Sequence, residues 1–126
     1  MNNYNFGYAE RSPRRAFDLN DSLFVDIRKN ECKTNITLEL KDISLTGLQV
    51  LILDGQRTPR YFLGDLVEVD FSRLLNFPQK LNAEVVRLEV VDNGYTLGLK
   101  FKGLSVKEKA GLNQLIFSEG LTQTEF

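Results

Sequence analysis

Apolar and polar residues alternate with a period of two in segment after segment of this chain. The first such segment runs from Ala16 to Lys29. Leu23, Val25 and Ile27 fall on one face and Phe24, Asp26 and Arg28 on the other, with Asn20-Asp21 as a kink or bulge. That period belongs to half-buried β-strands. Asn30-Glu31-Cys32-Lys33 connects to a second strand, Thr34 to Lys41, in which Ile36, Leu38 and Leu40 alternate with Thr37, Glu39 and Lys41. Asp42-Ile43-Ser44-Leu45-Thr46-Gly47 reads as a polar turn. Leu48 to Leu53 reads as a third strand, apolar on both faces and therefore central or covered. After a loop marked by Gly55 and Pro59, Leu66 to Phe71 turns Val67, Val69 and Phe71 inward and Glu68 and Asp70 outward.

The fifth segment, Leu81 to Val91, changes phase. Leu81, Ala83 and Val85 lead, then Val86, Leu88 and Val90. One slip of that kind predicts a β-bulge that bends the strand across a barrel. Asp92-Asn93-Gly94 predicts a hairpin, because Asn-Gly accepts the positive φ of a type I′ turn. Tyr95 to Lys102 returns with Leu97, Leu99 and Phe101 inward, and Gly98 in mid-strand suggests close approach by another backbone or a ligand. Ser105-Val106-Lys107-Glu108 has the form of a capping box. It opens a helix with Val106, Leu112, Leu115 and Ile116 on one face, Ala110 beside them and Gly120 at its close. Six strands followed by a helix predict a mainly β fold, a six-stranded antiparallel barrel with a C-terminal α-helix.

The 126 residues suit one domain, expected over 11–120, with flexible tails at 1–10 and 121–126. A net charge of -1 gives no global field toward nucleic acid or an anionic membrane, so neither DNA, RNA nor membrane insertion is expected. The opening residues lack the basic-then-apolar order of a secretory signal, and no apolar run reaches the roughly 18 residues of a membrane span. The single Cys32 cannot form an internal disulfide, which fits a reducing cytoplasm. With no histidine, histidine-based triads and His-containing zinc sites are excluded, and one cysteine cannot build a thiolate zinc site. Glu68 and Asp70 read as an exposed strand face rather than an acid–base pair, and no phosphate loop of the form G-x-x-x-x-G-K is present. An enzyme is not expected.

Recognition chemistry is better represented. Arg11-Ser12-Pro13-Arg14-Arg15 places three guanidinium groups just before the first strand. Each is a planar fork that matches phosphate oxygens or the O6/N7 edge of guanine. Asp42 supplies an acceptor for the N1–H and N2–H donors of guanine, Ser44 can donate or accept, and Gly47 lets a backbone come close.

Arg11-x-x-x-Arg15 followed by Asp42-x-Ser44-x-x-Gly47 resembles the paired signature of PilZ domains, the bacterial receptors for cyclic di-GMP. Leu63-Gly64-Asp65-Leu66-Val67, Ala83-Glu84-Val85-Val86-Arg87 and Leu97-Gly98-Leu99-Lys100-Phe101 are similar to the family's later strands. The resemblance implies a non-catalytic receptor without cofactor, in which the arginine segment folds over the dinucleotide against the barrel. Arg11, Arg14 and Arg15 would meet guanine edges and phosphates, Asp42 and Ser44 the other guanine edge, and Gly47 would keep the floor low. Glu10, just before the arginine motif, departs from the family pattern and bears on whether one or two ligand molecules bind. Arg87 and Gly98 are further candidates, while Arg57 and Arg60 read as solvated loop cations. The signal would leave by contact with a downstream protein. The alternatives are an adaptor of the same fold that binds protein constitutively, as in pilus assembly, and a barrel for single-stranded nucleic acid. The second needs a basic stripe with exposed aromatics, which the alternating acidic residues do not supply.

Overall fold

The computed structural model describes residues 14–16, 23–74 and 79–117, the first group by its backbone alone. Seven strands and one helix are present among them: β1 (Arg14–Ala16), β2 (Phe24–Lys29), β3 (Ile36–Ser44), β4 (Gly47–Leu53), β5 (Leu66–Asp70), β6 (Lys80–Val91), β7 (Gly94–Phe101) and α1 (Val106–Phe117). Strands β2 to β7 close an antiparallel barrel in the order β3-β2-β5-β6-β7-β4, with β4 returning to β3. The short β1 continues along the β3 edge that β2 uses, pairing Arg14 with Ser44, Arg15 with Ile43 and Ala16 with Asp42.

The inward phases fill the barrel. Val25, Ile27, Leu40, Ile43, Val50, Val67, Val69, Phe71, Val85 and Leu97 are fully buried, and Phe71 meets Phe101 edge-on at 6.3 Å. Each such aliphatic or aromatic side chain contributes about 1.5–3 kcal/mol on burial. In β4, Val50, Leu51 and Ile52 are all buried, as expected for a strand apolar on both faces. At α1 the Glu108 carboxylate accepts from Ser105 N–H (2.8 Å) and the Ser105 hydroxyl accepts from Glu108 N–H (3.1 Å), a complete capping box. Leu112, Leu115 and Ile116 pack into the core.

Several boundaries differ from the sequence pattern. The first expected strand is two, β1 and β2, and the Asn20-Asp21 kink lies outside the described residues, as does Gly120. The polar turn contracts to Leu45–Thr46, because Asp42 and Ser44 are paired within β3 and Gly47 opens β4. The β6–β7 hairpin turns on Asp92–Asn93, and Gly94 is already in β7 opposite Val91. Glycine is needed there for clearance, since a Cβ would stand 2.0 Å from the Ile52 carbonyl oxygen. Val106 is exposed rather than on the buried stripe. It stands six positions before Leu112, which puts the two about 120° apart around the helix.

Both strands that flank the candidate site carry a bulge. The expected one lies in β6, where Val85 pairs with Leu99 and Arg87 with Gly98, leaving Val86 unmatched. A second lies in β3, where Leu40 pairs with Val50 and Asp42 with Gln49, leaving Lys41 unmatched. Each shifts the inward phase by one residue, from Leu40 to Ile43 and from Val85 to Leu88.

Candidate functional site

The register lines up one row of residues across four strands, from bulge to bulge. Asp42 in β3 stands opposite Gln49 in β4, Gln49 opposite Gly98 in β7, and Gly98 opposite Arg87 in β6. The next row, toward the β3–β4 corner, holds Gly47 opposite Lys100 and Lys100 opposite Glu84. Together with Ser44, Thr46 and Val86 these residues, Glu84 excepted, line an open groove of about 490 Å³ on the barrel wall. That volume lies within the roughly 300–1,000 Å³ of small-molecule sites. Five of the residues singled out from the sequence therefore converge here: Asp42, Ser44, Gly47, Arg87 and Gly98.

The corner is held by the Ser44 hydroxyl. It accepts from the N–H of Thr46 (3.2 Å) and of Gly47 (3.3 Å) and lies 3.0 Å from the Thr46 hydroxyl. Ser44 is itself only 3% exposed, so its oxygen first fixes the Leu45–Thr46 link. Gly47 is required by the barrel: a Cβ would stand 2.0 Å from the Leu99 carbonyl oxygen. The backbone it admits is that of β7. Gly98 does the same for a side chain, since its Cβ would stand 2.9 Å from Arg87 Cβ. The missing methyl lets Arg87 lie across β7 beside the groove.

The groove's described side chains hold two cations, Arg87 and Lys100, and one carboxylate, Asp42. Arg87 is 3.5 Å from Glu89, on a side chain 64% exposed, so that pair is weak and open to exchange. At the rim Lys102 donates to Glu84 at 2.8 Å and holds its carboxyl below the usual range. Gln49 donates to the Thr96 hydroxyl (3.2 Å), which orients its amide along the floor. Gln49, Thr46, Val86 and Lys100 were not singled out from the sequence. Gln49 and Lys100 do occupy the outward phase of their strands, but only the register shows that they adjoin Asp42 and Gly47.

The backbone of Arg14 and Arg15 runs beside this corner, at the register positions of Ser44 and Ile43. Arg11 and Glu10 lie outside the described residues. Away from the groove, Glu68 pairs with Arg28 at 3.3 Å and Asp70 accepts from Ser72 N–H at 2.9 Å, so the two outward carboxylates of β5 serve local structure. Among the described residues no three potential metal ligands cluster, and no helix is long and apolar enough to cross a membrane.

The chain belongs to the PilZ domain family, whose model matches residues 10–118. Solved structures of low identity share its fold. The PilZ domain of Escherichia coli YcgR, solved with c-di-GMP, superposes with a TM-score of 0.66 at 18% identity, covering 85% of this chain and 88% of that one. Bacillus subtilis MotI/DgrA, an inhibitor of motility, gives 0.60 at 18% identity over 82% of this chain and 47% of its own. The Borreliella burgdorferi PlzA protein in complex with c-di-GMP gives 0.55 at 16% identity over 82% and 39%. This chain thus spans most of the first structure and less than half of the other two. No curated protein matches it in sequence.

Proposed function

We propose that this chain is a non-catalytic receptor for cyclic di-GMP. The observation that carries the proposal is the groove, in which Asp42, Gln49, Gly98 and Arg87 form one row and the Ser44–Gly47 corner closes one end. A guanine carries donors that suit the Asp42 carboxylate on one edge and acceptors that suit arginine on another. The two phosphates suit the cations Arg87 and Lys100. The reading is supported by family membership and by the PilZ domain of YcgR and PlzA, each solved with c-di-GMP.

Arg11, Arg14 and Arg15 complete the site by closing over the dinucleotide from the β1 side. Fixing that segment costs about 1–2 kcal/mol per residue in backbone entropy. Its contacts must exceed this by enough to leave the roughly 8 kcal/mol of a micromolar complex. Loss of one arginine is then severe. The closed segment presents a new surface to a downstream protein, and through that contact the signal leaves.

Titration calorimetry tests the reading, with cyclic di-GMP, cyclic di-AMP and GTP on the native chain and on Arg11→Ala and Asp42→Ala. Heat is expected for cyclic di-GMP alone, largely lost in both variants. No heat up to about 1 mM ligand would sink the receptor reading in favour of a constitutive protein-binding adaptor. Limited proteolysis tests the closure: residues 1–15 are expected to be cut less in the presence of ligand, and equal cleavage in both states would defeat it.

A further inference from the structure

Gln49 stands in the middle of the groove floor, and the receptor reading so far gives it no task. Asp42 in β3 and Gly98 in β7 are its two cross-strand partners, so its side chain shares their face. Directly opposed residues of an antiparallel pair have Cβ atoms about 4.5–5.5 Å apart, so one flat ligand can touch Asp42 and Gln49 together. The amide is anchored. Its Nε2–H donates at 3.2 Å to the hydroxyl of Thr96, which lies two positions from Gly98 along β7 and is only 7% exposed. A glutamine amide has two N–H donors and one carbonyl acceptor. Nε2 is held at Thr96, and Oε1 has no hydrogen-bond partner among the described residues.

Strand order selects the ligand edge that meets this acceptor. β1 lies on one side of β3 and β4 on the other, so Asp42 stands between the arginine segment and Gln49. Around its ring a guanine presents first O6 and N7, then N1–H and the 2-amino group, then N3. With O6 and N7 toward the arginines and N1–H on the Asp42 carboxylate, the 2-amino group falls on the β4 side. That group has two hydrogens. One points alongside N1–H and goes to Asp42, and the other points toward N3, where it needs a second acceptor. Arg87 and Lys100 only donate, and the Ser44 and Thr46 hydroxyls lie 3.0 Å from each other at the corner. The Gln49 carbonyl is the acceptor that fits.

We infer that Gln49 reads the 2-amino group of guanine in this groove and so sets its choice of base. The inference rests on the receptor reading and adds a specificity residue to it. Adenine has no 2-amino group. Hypoxanthine also lacks it but keeps N1–H, O6, N3 and N7, so it isolates this one contact. Either base leaves the Gln49 carbonyl without its partner once the site is closed. A site built to hydrogen-bond a ligand group discriminates against the analogue that lacks it.

Calorimetry with cyclic di-GMP and cyclic di-IMP, on the full native chain and on Gln49→Met, forms a double-mutant cycle between protein and ligand. Gln49→Met is expected to weaken cyclic di-GMP about three- to tenfold. It is expected to leave cyclic di-IMP, followed by displacement of cyclic di-GMP, unchanged. A second readout does not need the weaker ligand. In proton–nitrogen correlation spectra the Gln49 side-chain amide, assigned by its loss in Gln49→Met, is expected to shift on saturation with cyclic di-GMP. An equal loss for both ligands, no loss for either, or an amide that stays in place would overturn the inference and leave the receptor reading standing. No heat from cyclic di-GMP on the native chain would overturn the receptor reading, and this inference with it.

Discussion

The barrel carries two bulges, and they do opposite things. At Lys41 the extra residue lies inside the closed barrel, with β4 on one side and β1 and β2 on the other. The phase it shifts remains fully packed: Leu40 and Ile43 on either side are both completely buried, and the polar residues Asp42 and Ser44 are turned to the groove. At Val86 the extra residue lies where β5 ends, and the phase it shifts runs off the core. Leu88 and Val90 point the way of the barrel interior but have little barrel left to fill. The same backbone irregularity thus aims a polar site in one place and exposes an apolar edge in another. What differs is the neighbouring strand. A bulge redirects side chains, and the strand beside it determines whether the redirected face is buried.

This contrast can be tested most sharply at Ile43. Ile43→Ala removes a fully buried side chain beside the corner and is expected to cost about 2–5 kcal/mol, read from urea unfolding. Gly47→Ala places a methyl 2.0 Å from the Leu99 oxygen. It should cost about 1–3 kcal/mol by parting β4 from β7, with loss of the groove. Deleting Lys41 leaves the Leu40–Val50 and Asp42–Gln49 pairs intact and regularises the alternation, so the fold should survive. The bend is lost, and cyclic di-GMP affinity is expected to fall about tenfold, or 1.4 kcal/mol. A deletion that binds as tightly as the native chain would show that the bulge does not aim the site.

Two smaller effects lie toward the β6–β7 hairpin, where Tyr95 stands opposite Val90. Tyr61 is buried near Tyr95, and its hydroxyl has no hydrogen-bond partner among the described residues. Burial, with smaller contributions from Tyr95 and other neighbours, pushes its pKa up from 10.0 to about 12. The folded state therefore favours the neutral phenol. Its contribution to stability is complete below pH 10 and is lost as pH rises from 10 through 12. Tyr61→Phe should flatten that alkaline loss in a series of unfolding curves, and an unchanged pH profile would contradict the assignment. Val90→Ser, at a residue 87% exposed, should move monomer stability by no more than about 0.5 kcal/mol. A larger loss at low protein concentration would mean that the hairpin end is packed within one chain.

How much of this was legible in the residues depended on range. The six barrel strands, the capping box and the bulge in β6 follow from local periodicity, because alternation, turn chemistry and a phase slip are all written within a few neighbouring positions. The matching slip in β3 was equally present, in the three-residue step from Leu40 to Ile43. The abundance of polar residues around it made the segment read as a longer turn. Asp42, Ser44 and Gly47 were identifiable by motif, and the backbone that Gly47 lets come close is that of Leu99 in β7, a partner that only the register reveals.

Local patterns along the chain were enough for the barrel, its helix and the family, since burial patterns and paired motifs need no knowledge of the third dimension. Tertiary structure alone decided which residues share the groove. Arg87 and Gly98 reach Asp42 through β4, across residues 42, 49, 98 and 87, and no local signal encodes that pairing order. It also decided that β5 stops short of β6. The lengths of neighbouring strands are settled by register, and register is fixed only when the barrel closes.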